Sequence, residues 1–190
     1  MPSRKRLRRP FYRRNALQVA RDLLGRVLCR RLSDGQVLRA RIVEVEAYDG
    51  RADRASHAHR GRTPRNLPMF EAGGIAYVYL VYGMHHCFNV VTGDRGSPAA
   101  VLLRATEPPA AGEPASGPGR LCRAFRIGRD ESGCSLLGRE VWLEEGSPVG
   151  DRRVKRTPRI GVSYAGDWAR RPYRFVIRNH GDASGPRRLR

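Results

Sequence analysis

Apolar and polar residues alternate along much of this chain, which is the pattern of strands that bury one face. Strand patterns occur at 27–29, 37–47, 77–91, 101–105, 141–143, 159–164 and 173–177. Ser33-Asp34-Gly35 forms a turn between the first two, and Gly83 divides 77–91 into two strands around a tight tip. Helical spacing is confined to 15–24, which ends at Gly25, and to 121–127. Many short strands with few helices predict a mixed α+β, β-rich domain on an antiparallel sheet.

Polar and irregular stretches set the predicted limits of this domain. Residues 1–10 are basic and end at Pro10, which predicts a flexible arm that either contacts phosphates or is simply solvated. Residues 11–180 are predicted to form a single domain and residues 181–190 a disordered tail. Within the domain, 49–76 is rich in Gly, Pro and Arg, and an irregular segment of this length is usually functional or disordered. The predicted surface loops are 107–119 and 146–158.

Charge narrows the class of partner. The 190 residues contain 37 Lys and Arg against 18 Asp and Glu, and the resulting net charge of +19 indicates a polyanionic partner such as nucleic acid. No apolar run approaches the ~20 residues of a membrane span, so no membrane partner is expected. The four cysteines are scattered, which favours reduced thiols. Neighbours on a strand point to opposite faces, so His86 and Cys87 are not expected to converge on a metal ion.

The strand pattern that ends at residue 48 carries two carboxylates. Alternation places Val43, Val45 and Ala47 on one face and Ile42, Glu44, Glu46 and Tyr48 on the other. The all-apolar face is predicted to lie on the core. The other face presents a carboxylate beside an aromatic ring where the strand enters the irregular segment, and such a carboxylate can activate water. The alternative is that both glutamates form an exposed polar face that Arg39 and Arg41 neutralise.

The strand pair around Gly83 carries more tyrosine than packing requires, at Tyr77, Tyr79 and Tyr82. A ring at a hairpin tip can enter a base step and unstack it, while other rings stack on an extruded base. Ordinary strand packing would account for any one of these rings taken alone. Together with Arg62, Arg65 and the net charge, they predict that the protein flips a base out of the duplex.

At this point the residues resemble one family, the alkyladenine (3-methyladenine) DNA glycosylases, from about Phe11 to Arg178. The matching motifs are Glu44–Tyr48, Thr63–Asn66, Tyr77–Tyr79, Tyr82–Met84, Val101–Ala105, Gly117–Cys122 and Ala165–Arg170. The resemblance implies a monofunctional enzyme of base excision repair that hydrolyses the N-glycosidic bond of alkylated or deaminated purines. Its substrates would be of the 3-methyladenine, 7-methylguanine, hypoxanthine and ethenoadenine class. The implied fold is one curved antiparallel sheet with short helices and a protruding hairpin, and the resemblance implies no metal and no cofactor.

The resemblance also implies roles for single residues. Glu46 would be the catalytic residue, which activates the water that attacks the sugar C1′. The implied base-pocket residues are Tyr48, His57, Tyr79, Asn89 and Arg104, of which Asn89 would discourage the amino group of guanine. The implied DNA-binding and intercalating residues are Tyr82, Met84, His85, Arg62, Thr63 and Arg65, with Tyr82 as the wedge. Two departures stand out, since His85 replaces a second aromatic ring and the loop from His57 to Thr63 is one residue shorter than is familiar.

The expected partner is double-stranded DNA that contains damaged purines. A monomer is expected because no heptad or apolar interface stretch occurs, and the expected location is the cytoplasm (nucleoid-associated) in a bacterium or the nucleus in a eukaryote. One rival is a non-catalytic nucleic-acid-binding protein, which would bind with steep salt dependence but no lesion preference. Another is an RNA-binding or ribosome-associated protein, which RNA competition would reveal. Neither rival explains Glu46 beside Tyr48.

Overall fold

The structure, a computed structural model, describes residues 5–109 and 112–185. The described chain contains three short α-helices: α1 (Arg9–Tyr12), α2 (Ala16–Leu23) and α3 (Pro118–Ala124). Its strands are β1 (Val27–Arg31), β2 (Val37–Tyr48), β3 (Ala76–Val81), β4 (His85–Thr92), β5 (Ala99–Thr106), β6 (Val141–Glu144), β7 (Val154–Thr157) and β8 (Arg174–Ile177). Segments of 3-10 helix lie at Pro64–Phe70, Arg129–Glu131, Asp151–Arg153 and Ser163–Arg170.

The strands form one curled antiparallel sheet around β2. The order is β3-β4-β5-β2-β1-β6, and β8 pairs with both β2 and β7. The first half of β2 pairs with β1, and the second half pairs with β5 on one side and β8 on the other. Shifts of register against β5 occur between Ile42 and Val45, where the bulge bends the strand. The predicted β-rich α+β domain on an antiparallel sheet is therefore confirmed.

The core lies where α2 and α3 pack against the sheet, and it contains the apolar face of β2, as predicted. In α2 the side chain of Asn15 accepts a hydrogen bond from the Leu17 amide at 2.8 Å, which caps the helix. Its buried residues are Ala16, Val19, Ala20 and Leu23, at helical spacing. Gly25 follows with φ of +85°, and a Cβ there would lie 2.2 Å from the Ser147 carbonyl oxygen, so only glycine fits this exit from the helix.

Two segments near the C-terminus differ from the sequence prediction. The predicted loop 146–158 contains β7, which pairs with β8 although Lys155 and Arg156 give it no apolar pattern. The predicted strand 159–164 leaves the sheet and leads into the 3-10 segment Ser163–Arg170. Arg159 is the reason that this stretch departs, because its guanidinium is buried in an ion pair with Asp53 rather than exposed on a strand face.

The two predicted flexible ends also differ where the structure describes them. Leu7 is buried and its amide donates to Leu143 O at 2.8 Å, while the Arg6 guanidinium lies 4.2 Å from the ring centre of Trp142. At the other end, the Ser184 hydroxyl hydrogen-bonds Glu44 at 2.8 Å. Residues 5–10 and 181–185 are therefore packed parts of the domain, because β6 and a buried carboxylate give them partners. Residues 1–4 and 186–190 lie outside the described residues.

The second face of β2 is also buried, so the exposed polar face proposed for Glu44 and Glu46 is wrong. Both glutamates are 0% exposed, and neither pairs with Arg39 or Arg41. Glu44 Oε1 accepts hydrogen bonds from Arg104 Nε at 2.8 Å and from Arg174 Nε at 2.7 Å. A buried carboxylate is stable only when such donors replace its water.

We expect Glu44→Gln to lower the free energy of unfolding by about 3–5 kcal/mol, because it leaves buried guanidinium charge without its carboxylate. Chemical denaturation at constant pH measures this change. The matched control is Asp167→Asn, which breaks the ion pair between Asp167 and Arg170, whose side chains are 86% and 82% exposed. That pair should contribute no more than about 1 kcal/mol. Equal effects of the two variants would contradict the assignment of Glu44 as the centre of the buried network.

Candidate active site

A cavity of about 390 Å³ opens where the ends of β2, β3 and β5 meet the irregular segment before residue 76. The structure brings all five predicted base-pocket residues to its lining: Tyr48, His57, Tyr79, Asn89 and Arg104. Further lining residues come from 160–164, a segment that sequence reasoning had placed on a strand. The volume and the ring-rich lining suit a planar ligand of the size of a nucleobase.

Glu46 lies directly behind the wall of this cavity. Its Oε2 accepts a hydrogen bond from the Tyr48 hydroxyl at 3.0 Å, and its Oε1 accepts one from the Ile160 amide at 2.8 Å. Arg104 Nη1 lies 3.4 Å from the same Oε1. All three contacting residues line the cavity, whereas Glu46 itself is fully buried. Burial, followed by the negative charge of Glu46, raises the pKa of Tyr48, so the phenol stays protonated and donates.

Three rings from the irregular segment and β3 form one side of the cavity. His57 Nδ1 lies 2.8 Å from the Tyr77 hydroxyl, and the His57 ring meets Tyr79 edge-on with centroids 4.5 Å apart. Burial raises the pKa of Tyr77 to about 12. A protonated phenol that donates to Nδ1 assigns the imidazole proton to Nε2, by inference from the hydrogen-bond network.

Burial, followed by the positive charge of Arg65, lowers the pKa of His57. His57 as a residue is nevertheless exposed, so solvent screens both effects. His57 is therefore neutral at pH 7.

Asn89 is fixed at the base of the hairpin. Its Nδ2 donates to the carbonyl oxygens of Tyr77 at 3.0 Å and Cys87 at 3.2 Å, which uses both amide hydrogens. The side chain is 3% exposed and lines the cavity. Since its hydrogens are occupied, Asn89 can exclude a ligand group by its position but cannot repel an amino group with free donors of its own.

The hairpin tip projects away from the sheet. Tyr82 is 88% exposed and Met84 is 71% exposed, and His85 is also exposed at the start of β4. Tyr82 and Gly83 have φ of +51° and +69°, the pattern of a type I′ turn between Val81 and Met84. A positive φ is uncommon for a bulky residue, so the turn holds a large ring in solvent at a local cost in free energy.

The predicted basic contacts flank the cavity. The Arg65 guanidinium lies 5.1 Å from the Tyr79 ring centre and donates to Leu80 O at 3.1 Å. Arg62 lies 4.7 Å from the ring centre of Phe70. Thr63 caps the 3-10 segment Pro64–Phe70 through a reciprocal pair of hydrogen bonds with Asn66, so it has a structural contact whatever its role toward DNA.

Sequence reasoning missed the ion pair behind Tyr48. Arg159 donates to both carboxylate oxygens of Asp53 and to Ala47 O, and its guanidinium lies 4.8 Å from the Tyr48 ring centre. Both charged side chains are fully buried. No local pattern could have revealed this pair, because its members are 106 residues apart and lie in segments without regular alternation.

An enzyme that acts on a base within duplex DNA must enclose that base away from its neighbours, grip the phosphates and keep the duplex open. The cavity, the arginine-rich surface and the exposed tip ring suit these three tasks, so fold and site together fit the class of enzymes that act on single nucleic-acid bases. Comparison with known proteins gives the particular family. Residues 10–181 match the model of the methylpurine-DNA glycosylase family, and the chain belongs to it.

Curated relatives carry the same description. Proteins named "Putative 3-methyladenine DNA glycosylase" from Myxococcus xanthus and Anaeromyxobacter dehalogenans are 51% and 50% identical to this chain. The alignments cover 89% and 95% of this chain and 88% and 87% of the relatives. A relative of the same name from Methanocella arvoryzae is 48% identical over 91% of this chain and 92% of its own length. The protein is therefore a DNA glycosylase, a hydrolase of N-glycosidic bonds in DNA repair, as the sequence motifs predicted.

The described residues are informative about metals and membranes. Among residues 5–109 and 112–185, no three His, Cys, Asp or Glu side chains are grouped so that they could hold a metal ion. Within the same residues, no helix has the length and apolarity to cross a membrane. The four cysteines are free thiols.

We expect Arg65→Gln to raise the pKa of His57, because it removes the positive charge that disfavours the imidazolium. Titration of the His57 ring by NMR measures the shift. Arg13→Gln is the charge-matched control, since the exposed Arg13 pairs with Asp94 outside the cavity, and it should leave the His57 titration unchanged. A fall in the His57 pKa of Arg65→Gln would contradict the assigned electrostatics.

Proposed function

We propose that this glycosylase flips a damaged purine out of duplex DNA into the cavity and cleaves its N-glycosidic bond with water activated by Glu46. The observation that carries the proposal is the setting of Glu46, a buried carboxylate held by Tyr48 and Ile160 directly behind a ring-lined wall. Each carboxylate oxygen accepts one hydrogen bond from these neutral donors and keeps capacity for a water molecule. The same negative charge would stabilise positive charge that develops on the sugar as the bond breaks.

The aromatic rings of the cavity suit a cationic base. A purine alkylated at N3 or N7 carries positive charge, which makes it both a good leaving group and a partner for electron-rich rings. Tyr48 and Tyr79 supply such rings, and the lowered pKa of His57 keeps the third ring neutral. A protonated histidine would repel the cationic base, so a neutral His57 adds no repulsion toward methylated purines.

Neutral lesions place a further demand on the site. Hypoxanthine and ethenoadenine leave readily only after a proton reaches the base, and their place among the substrates rests on the resemblance of the motifs. We propose that both are excised more slowly than methylated purines. Asn89 would contribute to selectivity by position, since its amide hydrogens are already occupied by two backbone carbonyls.

Tyr82 is proposed as the wedge that fills the space left by the extruded base, with Met84 and His85 beside it on the hairpin. Thr63 and Arg65 line the groove beside the cavity, and together with Arg62 they would contact the phosphates. Arg104 would hold Glu46 in place. We further propose that the protein acts as a monomer. Its substrate would be cytoplasmic, nucleoid-associated DNA, since the relatives compared above include bacterial proteins. The rival, a non-catalytic nucleic-acid-binding protein, would bind DNA without releasing a base.

We expect Glu46→Gln to lower the single-turnover rate of base release by about 10²–10⁴-fold, the usual contribution of a positioned general base, while binding to lesion DNA persists. The assay follows 3-methyladenine and 7-methylguanine from methylated duplex DNA, with hypoxanthine and ethenoadenine duplexes in parallel. Glu140→Gln is the control, because Glu140 is 72% exposed and lies outside the cavity. Unchanged turnover in Glu46→Gln would remove Glu46 from the mechanism, and no release by the wild type would favour the binding-only rival.

We expect Tyr82→Ala to lower base release by roughly 10-fold, because loss of a stacking ring costs about 1–3 kcal/mol and the extruded base then returns to the duplex more readily. Thermal stability should stay unchanged, since the ring is 88% exposed. Tyr82→Phe keeps the ring and should retain release. If Tyr82→Phe loses as much release as Tyr82→Ala, the hydroxyl rather than the wedge is what matters.

A further inference from the structure

Tyr164 is a second large ring exposed at the mouth of the cavity. It is 69% exposed, against 88% for Tyr82, and both residues line the same cavity. Leu80 is also exposed and also lines it. Single apolar side chains on a surface need no explanation, but these three all line one cavity, which suits contact with a ligand.

The structure holds this exposed ring in a fixed place. The Tyr164 hydroxyl donates to Ala55 O at 3.3 Å, which ties the ring to the loop that leads to His57. Val162 and Ala165, on either side of it, pack with Ala55 in a small buried cluster that also contacts Tyr48. Gly166 follows with φ of +59°, a conformation that favours glycine, and breaks the 3-10 segment there. The ring is therefore pre-positioned rather than loosely exposed.

Tyr164 also stands between two surfaces. It lines the cavity, and it lines the neighbouring groove together with Arg54, Arg60 and Arg65. A nucleotide whose base enters the cavity must keep its sugar at the mouth and its phosphates on the basic surface outside. A ring at that boundary meets the nucleotide where its base joins its sugar. Tyr82 belongs to the hairpin and Tyr164 to the segment after β7, so the two rings approach from different walls.

We propose that Tyr164 packs against the extruded methylpurine nucleotide at the cavity mouth and slows its return to the duplex, while Tyr82 fills the space left in the stack. The proposal rests on the proposed function. The two rings then have separate tasks, since Tyr82 acts on the duplex and Tyr164 acts on the nucleotide that has left it. Removal of the Tyr164 ring would lower the fraction of the damaged base that is extruded, without changing the affinity of the protein for the rest of the DNA.

The test compares Tyr164→Ala, Tyr164→Phe and wild type in two measurements. The first is single-turnover release of 7-methylguanine from methylated duplex DNA at saturating enzyme. The second is the Kd for a duplex with one tetrahydrofuran abasic site, which has no base to hold. We expect Tyr164→Ala to release base on the order of 10-fold more slowly, as loss of a stacked ring typically produces, with abasic-site binding within about two-fold of wild type. Tyr164→Phe keeps the ring but loses the hydroxyl bond to Ala55, so it should release base at a rate between those of Tyr164→Ala and the wild type.

Leu137→Ala is the control for loss of an exposed apolar side chain, because Leu137 is 37% exposed and lies outside the cavity. It should not change release. The proposal would be overturned if Tyr164→Ala released base at the wild-type rate. It would also be overturned if Tyr164→Ala weakened binding to the abasic-site duplex by as much as it slowed base release, because Tyr164 would then be a general DNA contact. A similar loss in Tyr164→Phe would assign the effect to the hydroxyl bond with Ala55 and also overturn it. No release by wild type would instead sink the proposed function itself.

Discussion

Two carboxylates at the centre of a sheet, in a chain of net charge +19, are the constraint on which the rest of the structure depends. Glu44 and Glu46 are fully buried on β2, and removing a carboxylate from water costs several kcal/mol unless donors replace the solvent. Arg104 from β5 contacts both, and Arg174 from β8 contacts Glu44. The centre of the sheet is therefore complete only when β5 and β8 both pair with β2, which links folding to assembly of the site.

This network also gives Glu44 and Glu46, which are chemically identical, different surroundings and therefore different roles. Glu44 takes both guanidinium groups at 2.7–2.8 Å and the hydroxyl of Ser184, so it has little capacity left for chemistry. Glu46 receives one phenol and one backbone amide, with Arg104 at 3.4 Å. Position along the strand decides the difference, because Glu44 lies in the bulged stretch between the paired strands and Glu46 lies nearer the cavity.

The mouth of the cavity differs from this buried network because it carries exposed or uncharged rings. Tyr82 keeps a positive φ and an exposed ring, Tyr164 is exposed, and His57 is held neutral among tyrosines. Each feature is unfavourable or neutral for the isolated fold, and in the proposed function each would serve a stacked, positively charged base. The sheet and its buried ion pairs keep these groups in place, as the Asp53–Arg159 pair does for the segment that carries Tyr164.

Local pattern was sufficient for the parts of the molecule whose partners are close in sequence. The apolar face of β2, the hairpin around Gly83 and helix α2 followed from alternation and spacing, and five residues of the cavity followed from the resemblance to a family. The burial of Glu44 and Glu46, the pairing of Asp53 with Arg159, the strand at β7 and the packing of both ends did not. Except for β7, which pairs with the next strand β8, their partners lie 60 to 140 residues away. Alternation reports which residues share a face but not what covers it. Only tertiary packing decides whether a polar face is exposed to water or covered by oppositely charged side chains.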